Sequence, residues 1–120
     1  MGTIFLNNIR LFSHHGCLKE ETIIGSEYRV DLWVDSSLDK AAKSDALEDT
    51  VDYVLLNRIV ESEMQTPSKL LEHVGQRIID RLFKEASNID AVKISIAKIN
   101  PPIGGDVASV SVIMKQVREV

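Results

Sequence analysis

The sequence predicts an α+β domain in which a four-stranded antiparallel sheet carries two helices on one face. Three observations lead to this prediction: two segments of strand character come first, two amphipathic helical segments follow, and two more strands come last. Strands joined as hairpins pair antiparallel, and helices between the two hairpins cover one face of the sheet. The expected element order is therefore β-β-α-α-β-β.

The first two strands are predicted at 4–12 and 27–35, with a loop at 16–26 between them. The first strand is rich in Ile, Leu and Phe. In the second, apolar and polar residues alternate, which places one set of side chains on the core face. That set is Tyr28, Val30, Leu32 and Val34.

The two helices are predicted within 49–64 and 68–83, after a polar and acidic segment. Asp49, Thr50 and Asp52 are candidate N-caps for the first helix. The second helix gathers its apolar side chains on one broad arc at the helical step of 100° per residue. The arc contains Leu71, Val74, Gly75, Ile78, Ile79, Leu82 and Phe83.

The last two strands are predicted at 89–98 and 107–115, on either side of a turn with two prolines and two glycines. The sheet face opposite the helices carries small or polar residues, so it is either wet or lines the inside of an assembly. These residues are Arg29, Asp31, Ser95, Ala97, Ser109 and Ser111.

Two charged residues break this pattern. Glu72 lies at the edge of the apolar arc of the second helix, where a carboxylate is costly unless it turns to solvent or is paired, for example with Lys69. Lys98 continues the core-facing alternation of the third strand. Because both residues face the layer between helices and sheet, an acid and a base are expected to meet in one pocket.

The totals limit the class of function. The 120 residues are expected to form one domain, 1–120, with 14 basic and 18 acidic residues and a net charge of −4. The sequence has no excess of basic residues to neutralise nucleic-acid phosphates, and it contains no run of 18 apolar residues that could span a membrane. A single cysteine and no signal-peptide pattern predict a cytoplasmic protein.

Neither a metal site nor a cysteine nucleophile is expected. His14 and His15 are adjacent, so on a strand they point to opposite sides and cannot hold one ion together. His73 lies on the polar arc of the second helix. Cys17 has no base at a spacing that would activate it.

Four segments remain to be explained: HHGCLKEE at 14–21, DTVDY at 49–53, LLEH at 70–73 and KINPPIGG at 98–105. In this order and at these separations they resemble the dihydroneopterin aldolase family of folate biosynthesis, over about residues 3–115. The resemblance implies the tunnelling fold, in which the sheets of neighbouring subunits join into a barrel. It also implies a homo-oligomer, an octamer of two stacked tetrameric rings, with active sites between subunits.

The resemblance implies catalytic roles for three residues. Lys98 would be the acid and base of the reaction, with a pKa lowered by partial burial. Tyr53 would come from the neighbouring subunit and assist proton transfer. Glu21 would hold the network of Lys98 and water.

The resemblance also implies a pterin site. Glu72 would accept N–H bonds from the 2-amino group and ring N3, while the backbone of Val51 and Leu71 would bind the pterin edge beside Tyr53. The reaction would be the retro-aldol cleavage of 7,8-dihydroneopterin, with no cofactor, no metal and no Schiff base, because the substrate's own imine takes up the electrons. The family often also epimerises the 2′ carbon.

Two alternatives remain open from the sequence. A dihydroneopterin triphosphate epimerase would use a similar pocket with basic residues for the triphosphate, of which Lys19, Arg58 and Lys69 are the candidates. A non-catalytic subunit of the same fold would bind a pterin or purine without turnover.

Overall fold

The computed structural model describes residues 1–119 and contains four strands and four α-helices within them. In chain order the elements are β1 (Gly2–Ser13), α1 (Lys19–Ile24), β2 (Ser26–Ser36), α2 (Asp39–Ser44), a 3₁₀ turn (Leu47–Asp49), α3 (Tyr53–Met64), α4 (Leu71–Glu85), β3 (Ala91–Ile99) and β4 (Ser109–Val117).

The strands form one antiparallel sheet in the order β1-β2-β3-β4, which confirms the predicted fold class. The central pair, β2 and β3, is joined through the two long helices, and its register sets Tyr28 opposite Lys98. The inward side chains of these strands are buried against α3 and α4, as their alternation predicts. The end of β3 that carries Lys98 is thereby held at the rim of the core.

Most of the observed elements begin or end at other residues than predicted, and two of the differences bear on the site. The predicted loop at 16–26 contains the short helix α1. The second long helix begins at Leu71 instead of position 68, because Ser68 is bound to residues of the loop after β1 and Leu70 keeps an extended backbone. Of the three candidate N-caps of α3, Asp52 is the one used, and its Oδ1 accepts the Val54 N–H at 2.9 Å.

A β-bulge in β1 lies outside the sequence predictions. The register with β2 shifts between Leu6 and Ile9, and Asn8 has φ of 60°. The backbone N–H of Asn8 donates to the Asp31 carboxylate at 2.7 Å, which satisfies a group that the ladder leaves unpaired. The bulge keeps apolar side chains of β1 on the core side along its whole length.

The outer sheet face is not only small and polar, as the sequence pattern had indicated. Phe5 and Trp33 stack there with ring centroids 4.6 Å apart, and the Lys93 ammonium lies 4.7 Å from the Trp33 ring. Strands β1 and β4 are the edges of the sheet, and β4 is exposed over much of its nine residues. Long unpaired edges of this kind are typical of sheets that pair with another chain. Within residues 1–119, no helix has both the length and the apolar character needed to span a bilayer.

Candidate active site

Lys98 is the best-anchored charged group of the site. It lies near the end of β3 on the core side and is only 7% exposed. Its Nζ donates to the Glu21 carboxylate at 2.5 Å and to the His15 carbonyl at 2.9 Å. The same ammonium lies 5.7 Å from the centroid of the Tyr28 ring, so three elements hold it in one place.

The expected lowering of the Lys98 pKa is wrong. Burial alone would lower the pKa of Lys98, but the hydrogen bond and charge of Glu21, with a contribution from Tyr28, outweigh it and raise the pKa above its ordinary value. Lys98 is therefore an ammonium at neutral pH. Glu21, the residue that keeps Lys98 charged, lies in α1, 77 residues earlier in the chain.

Glu21 owes its position to α1 and to the glycine before it. Its second carboxylate oxygen accepts the Leu18 N–H at 3.2 Å, which fixes the first turn of α1. A Cβ on Gly16 would lie 2.5 Å from the Glu21 carboxylate, and Gly16 has φ of 145°. The hydrogen bond from Lys98 is the largest factor that lowers the pKa of Glu21, so the two groups form an ammonium–carboxylate pair.

Glu72 lies in the first turn of α4, where the helix N-terminus favours a negative charge. Its side chain is exposed, and it forms no ion pair with any of residues 1–119, so the pairing with Lys69 that the sequence allowed does not form. It lines a cavity of about 260 Å³ together with Lys98 and Glu21, and Leu71 contributes to the same wall. The acid and base that the sequence placed in one layer thus share one cavity.

The apolar lining of this cavity comes from three places in the chain. The linker before α4, the Pro-rich turn after β3 and the inward face of β4 all reach it, and the contributing residues are Leu70, Pro101, Pro102, Ile103, Val110 and Val112. A cavity with such walls suits a flat ring whose edge carries N–H groups, because the Glu72 carboxylate and the Lys98 ammonium both line it.

The structure does not bring Val51 and Tyr53 to this cavity. They line a second, larger cavity of about 840 Å³ at the start of α3. Val51 is buried, whereas the Tyr53 side chain is 65% exposed on the first residue of the helix. One chain therefore carries two separate groups of the predicted site residues.

The two adjacent histidines occupy different environments. His15 is buried, and His14 lies with its ring 5.6 Å from Phe12 in an edge-on arrangement. No group of three or more His, Cys, Asp or Glu side chains within residues 1–119 has the spacing to hold a metal ion. Cys17 is exposed, and its thiol donates to the Lys69 carbonyl at 3.5 Å.

Sequence reasoning missed two residues beside Lys98. The His15 carbonyl accepts from Lys98, and the buried Tyr28 hydroxyl donates to that carbonyl at 3.0 Å. The alternation of β2 identified Tyr28 as a core residue, and its register opposite Lys98 was the available signal. No pattern in the sequence marks a backbone carbonyl as a functional group.

Comparison with known proteins identifies relatives of this chain. The family model for dihydroneopterin aldolase matches residues 4–115. A dihydroneopterin aldolase of Streptococcus pyogenes is 35% identical over 122 residues, which covers 98% of this chain and 100% of the relative. One of Staphylococcus epidermidis is 37% identical over 103 residues, or 85% of each chain. The crystal structure of Escherichia coli dihydroneopterin aldolase in complex with neopterin superposes with a TM-score of 0.88, at 25% identity over 97% of this chain and 99% of that one.

Proposed function

The chain belongs to the dihydroneopterin aldolase family, which makes it a lyase of folate biosynthesis, and we propose that it cleaves 7,8-dihydroneopterin in the cavity between Glu72 and Lys98. The products are 6-hydroxymethyl-7,8-dihydropterin and glycolaldehyde. The proposal depends mainly on the shared cavity: the Glu72 carboxylate, which has no ion pair within residues 1–119, and the hydrogen-bonded Lys98 ammonium line one apolar slot. The neopterin complex of the E. coli relative supports a pterin as the ligand.

Glu72 anchors the pterin in this proposal. A carboxylate accepts two parallel N–H bonds, which matches the 2-amino group and ring N3 of a pterin. Support comes from its lack of an ion pair within residues 1–119, because a ligand then has no internal partner to displace. The backbone of Leu71, next in the wall, borders the ring edge.

Lys98 transfers protons in this proposal, and its charge fixes the order of events. As an ammonium it can donate a proton to N5 of the substrate, and as the resulting amine it can accept the proton of the 2′-hydroxyl, directly or through water. The C1′–C2′ bond then breaks and glycolaldehyde leaves, while the electron pair of that bond forms C6=C1′ and the C6=N5 π pair stays on N5–H, which gives an enamine. Protonation of C1′ and loss of the N5 proton restore C6=N5 and complete the product, while Glu21 stabilises the charged form of Lys98 at each stage.

Assembly completes the site in this proposal. Val51 and Tyr53 lie at a different cavity from Lys98 on the same chain, so a neighbouring copy is the natural source of these groups. The two exposed sheet edges, β1 and β4, support a ring in which each edge pairs with the next subunit. We propose an octamer of two stacked tetrameric rings, with Tyr53 assisting proton transfer across the subunit boundary.

One assay tests the proposed reaction against both alternatives. The protein is incubated separately with dihydroneopterin and with its triphosphate, while glycolaldehyde and pterin products are followed. Release of glycolaldehyde from dihydroneopterin is expected. Conversion of the triphosphate alone would favour the epimerase, and pterin binding without product would favour a non-catalytic subunit. A rate that is lost with EDTA and restored by metal would contradict the metal-free mechanism.

A further inference from the structure

His15 is a buried titratable residue for which the reaction above has no role. It follows β1 in the loop that leads to α1, and it is 1% exposed. Its ring lies edge-on to Tyr28, with centroids 5.3 Å apart. Burying an imidazole in this way requires that both ring nitrogens find partners.

The partners of the ring define one tautomer. Nδ1 accepts the backbone N–H of Ser68 at 3.0 Å, so the ring proton is on Nε2. Nε2 lies 3.2 Å from the Ser13 hydroxyl, which in turn donates to the Met64 carbonyl. This series of hydrogen bonds is complete only when His15 is neutral, because an imidazolium would carry a proton on Nδ1 that points at the Ser68 N–H.

The Ser68 peptide is held from both sides by the loop that carries His15. While Nδ1 accepts its N–H, the Ser68 carbonyl accepts the Gly16 N–H at 2.9 Å. The Ser68 hydroxyl also accepts from Arg77 of α4 at 2.8 Å. Ser68 stands three residues before α4 begins at Leu71, so this contact fixes the segment from which Glu72 is presented.

The main chain of His15 holds the other side of the cavity. Its carbonyl accepts from the Lys98 ammonium at 2.9 Å and from the Tyr28 hydroxyl at 3.0 Å, and its N–H lies 3.3 Å from the same hydroxyl. One residue thus touches Lys98 through its backbone and the segment before Glu72 through its ring.

We propose that His15 is a positioning residue that sets the spacing between Lys98 and Glu72, with its carbonyl fixing the ammonium and its Nδ1 fixing Ser68. This inference rests on the proposed function, since the spacing matters only if a pterin held by Glu72 reacts beside Lys98. A displacement of about 1 Å between a catalytic group and its substrate costs about 100-fold in rate. Loss of the ring contact therefore lowers kcat much more than it raises KM.

Two amide substitutions separate the two ring contacts. His15→Asn places a carbonyl oxygen where Nδ1 stands and so keeps an acceptor for Ser68, while it loses the contact to Ser13. His15→Gln carries its amide to the position of Nε2, which keeps Ser13 and loses Ser68. Both side chains are neutral and polar, so each variant is the matched control of the other.

The variants are compared by kcat per pterin-binding site, with sites counted by titration with the product, so that misfolded protein does not contribute. His15→Gln is expected to lower kcat by about tenfold or more with KM within about threefold, and His15→Asn to stay within about threefold of the wild type. Hydrogen exchange of the peptide that contains Ser68 should become faster in His15→Gln and remain slow in His15→Asn.

The remaining outcomes overturn the inference. Equal losses in both variants, no loss in either, or a larger loss in His15→Asn would each show that the Ser68 contact does not set the rate. In all these cases the wild type still releases glycolaldehyde, so the proposed function stands. A wild type that releases none, with exchange at Ser68 as expected, would overturn the proposed function and the inference together.

Discussion

Acidification is expected to destabilise this protein through His15. Burial is the largest factor that lowers the pKa of His15, from an ordinary 6.5 to about 4, and the positive charges of Arg77, Lys98 and His14 act in the same direction against a hydrogen bond at Met64. The unfolded chain therefore takes up a proton below pH 6.5, whereas the folded protein does not until about pH 4. His15 therefore does not reduce the free energy of unfolding above pH 6.5, and it reduces that free energy progressively as the pH falls from 6.5 toward 4.

The size of the effect follows from the two pKa values. Protonation of His15 in the unfolded chain lowers the free energy of unfolding by about 2 kcal/mol at about pH 5 and by about 3 kcal/mol at about pH 4. The measurement is the free energy of unfolding in urea at about pH 7.5 and about pH 5, at one protein concentration, for the wild type and for His15→Asn. Glu21, whose pKa is lowered, loses its contribution only at more acidic pH and is present in both proteins.

The wild type should lose about 2 kcal/mol more than His15→Asn between these two pH values. An equal loss in both proteins would refute the reasoning, because it would mean that His15 titrates alike in the folded and unfolded chains. A larger loss in the variant would mean that another group carries the acid sensitivity.

Three further experiments test the site. Glu72→Gln should weaken pterin binding by about 100-fold, the value of a lost charge-assisted pair, and an unchanged Kd by fluorescence titration would count against the anchor. Gly16→Ala should push Glu21 away from Lys98 and move the alkaline limb of the pH–rate profile to lower pH, since the carboxylate raises the pKa of Lys98; an unmoved limb would contradict this. Tyr53→Ala and Lys98→Met should each be inactive when prepared alone. When the two variants are refolded together, about a quarter of the wild-type number of sites should become active, because random mixing sets an intact Tyr53 from one variant beside an intact Lys98 from the other. No recovery of activity would argue against a site shared between subunits.

Local pattern was sufficient for the sheet and for the position of the acid and base. The alternation of β2 identified its buried face, and the same phase placed Lys98 at the core side of β3. The helical arc placed Glu72 toward the same layer, and the structure puts both in one cavity.

Features set by distant residues could not be read from the sequence. The late start of α4 depends on the contact between Ser68 and His15, 53 positions apart. The sign of the Lys98 pKa shift depends on Glu21, which reaches it only because Gly16 has no side chain. Both follow from tertiary contacts that no local periodicity records.

The most direct test of the account measures catalysis and binding together in Lys98→Met, which keeps the apolar stem and removes the ammonium. Release of glycolaldehyde from dihydroneopterin should fall by about 1,000-fold, as for loss of a general acid and base, while the Kd for 6-hydroxymethyl-7,8-dihydropterin stays within about threefold of the wild type. A variant that keeps the wild-type rate, or one that loses rate only because it no longer binds the pterin, would contradict the account.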